Sequence, residues 1–428
     1  MKRSIWIILA VTFVVLGGQA LAFHDGGVAE CSGCHKMHLA LSPSYLLQGT
    51  DQSSACLNCH ENTSGGSYHM STALAQMPND GDPVLNLTPG GDFGWLRKDL
   101  DATASYGRGL TFLGKENGHN IVAADHDYLT TGDVAPGGTM SSDDLYCTSC
   151  HDPHGNARIT GTGAAPVVQY PSIGNTHDPI VDSGSYGAEP TANEAVGIYR
   201  LLGAAGYQPS GVPAAFPGAP PAVSPSSYNR SEASNTTRVS YGYSATADGF
   251  ASWGRWCATC HPDYHTDTAG FKHKVDEQLS GAIVNVYDNY VKTGDLTGTF
   301  PRGGPFTSLV PFALNTKSIP DMAAKALIDD SDMTGPTTMD RMTCFTCHRA
   351  HASGWPYALR WNGEAEFLTL GGFGAPIYPG TDAGLGNQGQ FNRGYSVAQM
   401  ETAYGGRAAS REFAAHQRSL CNKCHMQD

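Results

Sequence analysis

The hydrophobic residues of this chain form one long apolar run near the start. The run covers residues 5–18 (IWIILAVTFVVLGG), comes after Lys2 and Arg3, and is closely followed by an A-L-A tripeptide. A positive start, a short apolar core and an A-x-A site are typical of a secretory signal peptide. We therefore expect residues 1–22 to be a leader, and residues 23–428 to form one exported domain without a membrane anchor.

Three later segments have the periodicity and the end signals of helices. Residues 193–206 (NEAVGIYRLLGAAG) begin with an Asn cap and end with glycines, and residues 276–294 repeat apolar positions at helical spacing. Residues 396–406 begin with a capping box, Ser396 and Gln399. We predict that these helices serve packing, and that none of them carries chemistry.

Composition predicts little other regular structure and excludes one class of partner. The chain has 52 Gly and 25 Pro among 428 residues, and only 15% of its residues are charged. Such a chain is expected to be mostly loop, with short helices and little β-structure. Its formal net charge of −13 argues against nucleic acid as a partner, because phosphates require the opposite sign.

All 12 cysteines fall in C-x-x-C pairs, and each pair is followed immediately by histidine. The six motifs, numbered here in chain order, are CSGCH, CLNCH, CTSCH, CATCH, CFTCH and CNKCH. A redox dithiol needs no following histidine, and neither a disulfide framework nor zinc sites would repeat one spacing with an adjacent histidine six times. The pattern is that of covalent c-type haem attachment.

The motif spacing assigns a role to each residue. Two thiols three positions apart lie on one side of a helical turn and bond one haem edge, and the next residue carries its imidazole to the iron. The predicted thioether residues are Cys31, Cys34, Cys56, Cys59, Cys147, Cys150, Cys257, Cys260, Cys344, Cys347, Cys421 and Cys424. The predicted proximal iron ligands are His35, His60, His151, His261, His348 and His425. Six covalent haem c groups would crosslink this Gly-rich chain, so metal binding contributes to folding.

Three further histidines share one pattern, C-H-x-x-H. They are His38, His154 and His351, each three residues after a proximal histidine. The porphyrin separates such a residue from the far face of its own haem, so it can reach only a different haem packed alongside. We predict that all three are distal iron ligands; the alternative is a hydrogen bond to a haem propionate.

The chain has 17 histidines, so six distal positions can be filled by histidine alone. Beyond the three C-H-x-x-H residues, the candidates are His24, His69, His119, His265 and His273. Three of these five would complete the set, and His119, His273 and His69 are favoured. His126, His177 and His416 lie in polar stretches and are expected to face solvent.

Several longer stretches resemble one family. FHDGGVAECSGCHKMH, YLLQGTDQSSACLNCH, TPGGDFGW, GHNIVA, CTSCHDPHG, CFTCHRAHASG and CNKCH are similar to the OmcS-type outer-surface hexahaem cytochromes of metal-reducing bacteria. The resemblance implies short helices and loops wrapped around a continuous stack of bis-histidine haems, and head-to-tail polymerisation into filaments. It also implies that His38 ligates the haem of Cys344, Cys347 and His348 in the adjoining subunit.

The histidine pattern offers a reason for that exchange. The C-H-x-x-H residues belong to haems 1, 3 and 5; if each reaches back two haems, His351 serves haem 3 and His154 serves haem 1. His38 then has no earlier haem in its own chain and must use that of the preceding subunit. A contact of this head-to-tail kind does not close and yields an open filament.

With both axial positions filled by imidazole, iron has no place for substrate, and we expect electron transfer rather than enzymatic catalysis. The expected partners are other copies of the chain, periplasmic or outer-membrane electron donors, and extracellular acceptors such as metal oxides or electrodes. One alternative is a monomeric periplasmic or outer-membrane electron shuttle. Another is a multihaem reductase with an open haem, although the chain has no C-x-x-C-K motif.

Overall fold

The fold was analysed in a computed structural model, which describes most of the chain after the predicted leader. The described residues are 31–63, 69–77, 82–104, 107–153, 158–160, 167–169, 202–223, 239–245, 249–265, 274–290, 306–326, 334–370, 378–379, 392–407 and 413–425. Every structural statement below refers to these residues.

Helices in the described residues are short. The α-helices are α1 Cys31–Cys34, α2 Gln52–His60, α3 Trp253–Cys257, α4 Gly281–Asn289, α5 Ile319–Ala326 and α6 Val397–Ala403. Single 3₁₀ turns elsewhere include Cys147–Ser149, Cys344–Thr346 and Leu420–Lys423. All six haem-attachment motifs thus begin on, or contain, a turn of helix.

The described strands form three small antiparallel pairs. They are β1 Leu100–Thr103 with β2 Gly109–Phe112, β3 Arg158–Thr160 with β4 Val167–Gln169, and β5 Ala222–Val223 with β6 Ser240–Tyr241. The first pair is in register Leu100 to Phe112, and Tyr241 in the last pair lies opposite Ala222. These two-stranded ribbons cannot enclose a core of their own. The predicted fold class, mostly loop with short helices and little β, is confirmed.

The predicted helices differ from the observed ones mainly at their ends. The capping box of α6 is present, with Ser396 Oγ accepting from the Gln399 backbone N–H. The prediction for residues 276–294 was too long, because Ser280 caps α4 and Asp276 has a left-handed φ of +65° that a continuing helix excludes. Of the predicted helix at 193–206, residues 193–201 lie outside the described residues, and the remainder is turn rather than helix.

The buried core is rich in aromatic residues that pack beside the motifs. Trp253, at the start of α3, lies 4.7 Å ring to ring from Phe345, which is inside motif 5. Tyr241 of β6 packs on the same phenylalanine at 5.4 Å. A second aromatic cluster contains Trp355, which is fully buried and lies 5.2 Å from Tyr404. The short helices and strands are therefore held together by packed aromatic side chains rather than by extended helix faces or sheets.

None of the described helices combines the length and the apolar character that crossing a bilayer requires.

Candidate haem-binding centre

The attachment motifs repeat one local geometry. In motifs 3, 4, 5 and 6 the backbone N–H of the histidine donates to the carbonyl of the first cysteine, at 3.0, 3.1, 2.9 and 3.2 Å. This bond closes one turn, so the two cysteines and the histidine face the same side. The geometry is the one that covalent attachment at two thiols and one imidazole requires.

The thiols are available for attachment. The eleven cysteines from Cys34 onward, whose side chains are all described, form no disulfide. Two pairs of motifs meet through their first cysteines. The hydrogen bond between Cys56 and Cys147, followed by burial, raises the pKa of Cys56. The hydrogen bond between Cys257 and Cys344, followed by burial, raises the pKa of Cys257 in the same way. Motif 2 therefore adjoins motif 3, and motif 4 adjoins motif 5.

Weaker electrostatic contacts join the remaining neighbours. Burial, and then the nearby thiol of Cys260, raises the pKa of Cys150 to about 12, which connects motifs 3 and 4. Burial and the thiols of motif 6 raise the pKa of Cys347 to about 12, which connects motifs 5 and 6. The thiol of Cys34 contributes to the raised pKa of Cys56, which connects motifs 1 and 2. The six motifs are thus neighbours in space in the same order as along the chain.

Several of the predicted iron ligands are oriented by backbone carbonyls. The Nδ1 atoms of His35, His261 and His348 lie 2.8, 2.8 and 2.7 Å from the carbonyl oxygens of Tyr45, Pro136 and Tyr357. A carbonyl only accepts, so each Nδ1 carries the ring proton and each Nε2 keeps its lone pair. A hydrogen bond of this kind commonly fixes the tautomer of a metal-binding histidine.

His119 and the proximal His261 face each other across a gap of the size that one metal ion fills. Their ring centroids are 6.0 Å apart. About 2 Å for each metal–nitrogen bond and about 1 Å from nitrogen to ring centre predict a separation of about 6 Å. The Nδ1 of His119 lies 2.7 Å from the carbonyl of Ala350, so its Nε2 is free to bind metal. These residues fit a bis-histidine haem iron.

The pKa of His119 is also favourable for metal binding. Burial, and then the nearby His261, lowers that pKa to about 4, although the residue is exposed. A neutral imidazole is the form that binds iron.

His351 lies deep in the same region. Burial and the neighbouring His151 lower its pKa to about 3, with smaller effects from His119 and His60. Its ring stacks on Phe93 at 4.6 Å. Next to it, Gly91 has φ +89°, and a Cβ there would come within 1.7 Å of the Ala352 carbonyl, so the close approach requires glycine. Among the proximal histidines, His151 of motif 3 therefore has the largest electrostatic effect on His351, the distal candidate of motif 5.

His38 has the opposite surroundings. Its side chain is exposed, and its neighbours Met37 and Leu39 are 81% and 87% exposed. Leu41, Tyr45 and Leu46 add further exposed apolar surface to this segment, which we call the N-terminal loop (residues 36–46). His38 thus lies within a segment of exposed apolar side chains, a feature typical of interaction surfaces.

The other distal candidates divide into three groups. His24, His154 and His273 lie outside the described residues. His69 has a buried Nε2 atom without a hydrogen-bond partner. His265 directs Nε2 at the carboxylate of Asp276, 3.2 Å away, so in this arrangement that nitrogen is occupied.

One expectation about the spare histidines was wrong. His126 was expected to face solvent, but only 12% of its side chain is exposed, and its Nδ1 lies 2.9 Å from the Glu61 carboxylate. Glu61 follows the proximal His60 and also pairs with Arg97 at 2.6 Å. The polar flanks of His126 concealed its burial, because Asp125 and Asp127 point outward. His416 is exposed, as expected, and His177 lies outside the described residues.

The Glu61 cluster shifts the pKa of both titrating partners. Although burial opposes ionisation, the hydrogen bond from His126 and the charge of Arg97 hold the pKa of Glu61 below its usual value. The same hydrogen bond raises the pKa of His126 above its usual value. A buried carboxylate beside the proximal histidine of motif 2 is therefore matched by positive charge.

Comparison with known proteins identifies close relatives. The search against family models found no match. The chain is 41% identical over 459 aligned residues to C-type cytochrome OmcS from Geobacter sulfurreducens, and the alignment covers all of both proteins.

Two solved structures are similar to the whole architecture. One, an Outer Membrane Cytochrome S Filament from Geobacter sulfurreducens, has a TM-score of 0.76 and 40% identity. The other, a cryo-EM structure of OmcS nanowires from the same organism, has a TM-score of 0.75 and 41% identity. Each match covers 95% of this chain and 100% of the other.

Proposed function

The chain belongs to the OmcS family of C-type cytochromes. From that premise, we propose that residues 23–428 form one domain that binds six haem c groups and carries electrons along them. The observation that carries this proposal is the proximity of the six motifs in chain order, together with the 6.0 Å between the ring centres of His119 and His261. Close packing of the macrocycles is what electron hopping requires.

We assign the distal ligands as follows. His119 serves haem 4, His351 serves haem 3 and His154 serves haem 1. For haems 2 and 6 the candidates are His24, His69 and His273, while His265 is disfavoured by its contact with Asp276. The N-terminal loop supplies His38 to haem 5 of an adjacent subunit.

The haem groups supply reversible one-electron chemistry between Fe(III) and Fe(II). The protein residues determine how that chemistry is used. Imidazole on both faces would leave substrate no coordination position. Backbone carbonyls such as those of Tyr45, Pro136 and Tyr357 hold the histidine rings in fixed orientations, so little would reorganise during transfer. The protein is therefore an electron carrier rather than an enzyme.

Self-assembly is supported by two exposed surfaces. The N-terminal loop presents His38 between Met37 and Leu39. At haem 5, the carbonyl that orients His348 belongs to Tyr357, whose side chain is 73% exposed. Haem 5 thus lies near the surface, where a histidine from another copy can approach it. The solved relatives are filaments, and we infer the same head-to-tail assembly for this chain.

The cellular role follows from export. The leader at residues 1–22 directs the protein through the periplasm to the outer surface. There the filament receives electrons from periplasmic or outer-membrane donors and delivers them to extracellular acceptors such as metal oxides or electrodes. Its acidic character keeps single subunits soluble before assembly.

Negative-stain microscopy of the purified, haem-loaded protein tests this proposal. Filaments are expected, whereas separate particles at all concentrations would favour a monomeric shuttle. Carbon monoxide added to the ferrous protein tests the remaining alternative. Six closed haems leave the spectrum unchanged, and CO binding at one haem would indicate a reductase.

A further inference from the structure

One attachment motif differs from the others in charge. The residue before the second cysteine, in motifs 1 to 6, is Gly33, Asn58, Ser149, Thr259, Thr346 and Lys423. The last four are buried, and Lys423 is only 1% exposed. The same inward position therefore holds a neutral hydroxyl in motifs 3, 4 and 5 and an ammonium group in motif 6.

The ammonium group of Lys423 is held in place by a helix. Its Nζ donates to the Tyr287 carbonyl of α4 at 3.0 Å. The same atom lies 3.6 Å from the centre of the Tyr287 ring and 4.8 Å from that of Tyr290. A carbonyl and two aromatic faces all stabilise a cation without removing its charge.

The charge acts on the groups that surround the haem 6 position. Burial raises the pKa of the nearby Asp288 carboxyl group, and the charge of Lys423 opposes that rise. Lys423 lies between the two thioether cysteines and is buried, so its charge is near haem 6 and is little screened by water.

Motif 2 provides a contrast. There, the charged residue next to the proximal histidine is Glu61, and its carboxylate is paired with Arg97 at 2.6 Å and His126 at 2.9 Å. The buried charged residue at haem 2 is thus an acid beside the motif, paired with two basic groups, whereas the buried charged residue at haem 6 is a lysine inside the motif.

We propose that Lys423 tunes haem 6 by raising its reduction potential. Oxidised iron carries one more positive charge than reduced iron, and a buried cation nearby disfavours it, because little water screens the repulsion. Reduction adds one electron, taken from the neighbouring haem 5, and moves no proton or ligand. This inference rests on the proposed function, since it requires a haem at Cys421, Cys424 and His425. Lys423 supplies a fixed positive charge near haem 6 and does not bind iron.

Redox titration of the full holoprotein, followed by absorption spectroscopy, tests the proposal. The variants are Lys423→Gln and Lys423→Met, which remove the charge, and Lys423→Arg, which keeps it. Asn58→Lys is the matched control, because it places a lysine at the same motif position in haem 2, where the side chain is exposed and water screens the charge. Mass spectrometry first counts the haems in each protein.

With six haems present, the neutral variants are expected to shift one haem of the six to lower potential, while Lys423→Arg retains the original value. Asn58→Lys should leave all six potentials close to those of the parent protein. Unchanged potentials in the neutral variants, with six haems bound, would overturn the tuning role and leave the proposed function intact. Loss of haem 6 in both neutral variants would also overturn it, since Lys423 would then build the site rather than tune it. Fewer than six haems in the parent protein would instead contradict the proposed function.

Discussion

His119 and His38 are both expected iron ligands, but their surroundings are opposite. His119 is oriented by the Ala350 carbonyl and lies 6.0 Å, ring centre to ring centre, from the proximal His261 of its own chain. His38 lies on an exposed loop between two apolar side chains that are more than four-fifths exposed. One ligand is completed within the chain, and the other is presented to the outside. In the proposed assignment, one histidine completes a haem site within its own chain and the other joins two molecules.

The largest expected effect comes from removing the exposed ligand. His38→Ala should leave a folded subunit with six haems whose assembled fraction falls at least ~10-fold, because the bond between subunits is lost. Sedimentation of the purified protein at a series of concentrations measures the assembled fraction. A matched control is His416→Ala, at another exposed histidine, which should assemble normally. Normal filaments from His38→Ala would refute the shared-ligand account.

Removing His119, the ligand proposed to serve a haem of its own chain, should have the opposite result. His119→Ala is expected to keep filaments but to open haem 4, so that one haem of the six binds CO in the ferrous state. The CO difference spectrum, normalised to haem content, measures the fraction. His265→Ala is the comparison variant, because the Nε2 of His265 already faces Asp276, and it should bind no CO. A CO-binding haem in His265→Ala and none in His119→Ala would reverse the assignment.

A smaller effect is expected from the apolar residues beside His38. Leu39→Ser removes a side chain that we expect to be buried on assembly, which is worth about 1.5–3 kcal/mol. The subunit concentration at which filaments begin to form should therefore rise by roughly ten-fold or more. Leu129→Ser, at a residue that is 68% exposed elsewhere, controls for general surface polarity. Equal assembly of the two variants would show that the loop contributes nothing beyond its histidine.

The smallest expected effect concerns the interior and its pH dependence. Glu61→Gln should lower the unfolding temperature of the holoprotein, because it weakens the buried pairs with Arg97 and His126 at a cost of about 1–3 kcal/mol. The Glu61 carboxylate has a lowered pKa, so its stabilisation is present above the ordinary value of 4.5 and is lost as pH falls through the lowered pKa. His126 has a raised pKa, so its share is present below 6.5 and is lost as pH rises through the raised pKa.

The difference in unfolding temperature between parent and Glu61→Gln should therefore be largest between pH 4.5 and 6.5. It should shrink in more acidic solution and only partly in alkaline solution, where Arg97 still pairs with Glu61. Calorimetry across this range measures the effect, and Glu277→Gln, on an exposed ion pair with Lys274, is the control. A constant difference at every pH would contradict the ionic origin.

The sequence was sufficient for the features that are local. C-x-x-C-H spacing predicts the attachment turns, and abundant glycine and proline predict a loop-rich fold. The sequence does not predict which distant residues pair. His119, for example, is oriented by a carbonyl 231 residues away. Burial was also hidden where polar neighbours face outward, as at His126. Helix ends were missed where a positive φ, as at Asp276, interrupts an otherwise helical pattern.

The central claim is that the chain supplies most distal iron ligands to its own haems and lends one to the next subunit. Cryo-electron microscopy of the assembled, haem-loaded protein examines it directly. We predict continuous density from the His38 ring of one subunit to the iron held by Cys344, Cys347 and His348 of the next, with a metal–nitrogen distance of about 2 Å. A haem 5 iron that is ligated on both faces by its own chain, or that is vacant on one face, would contradict the account.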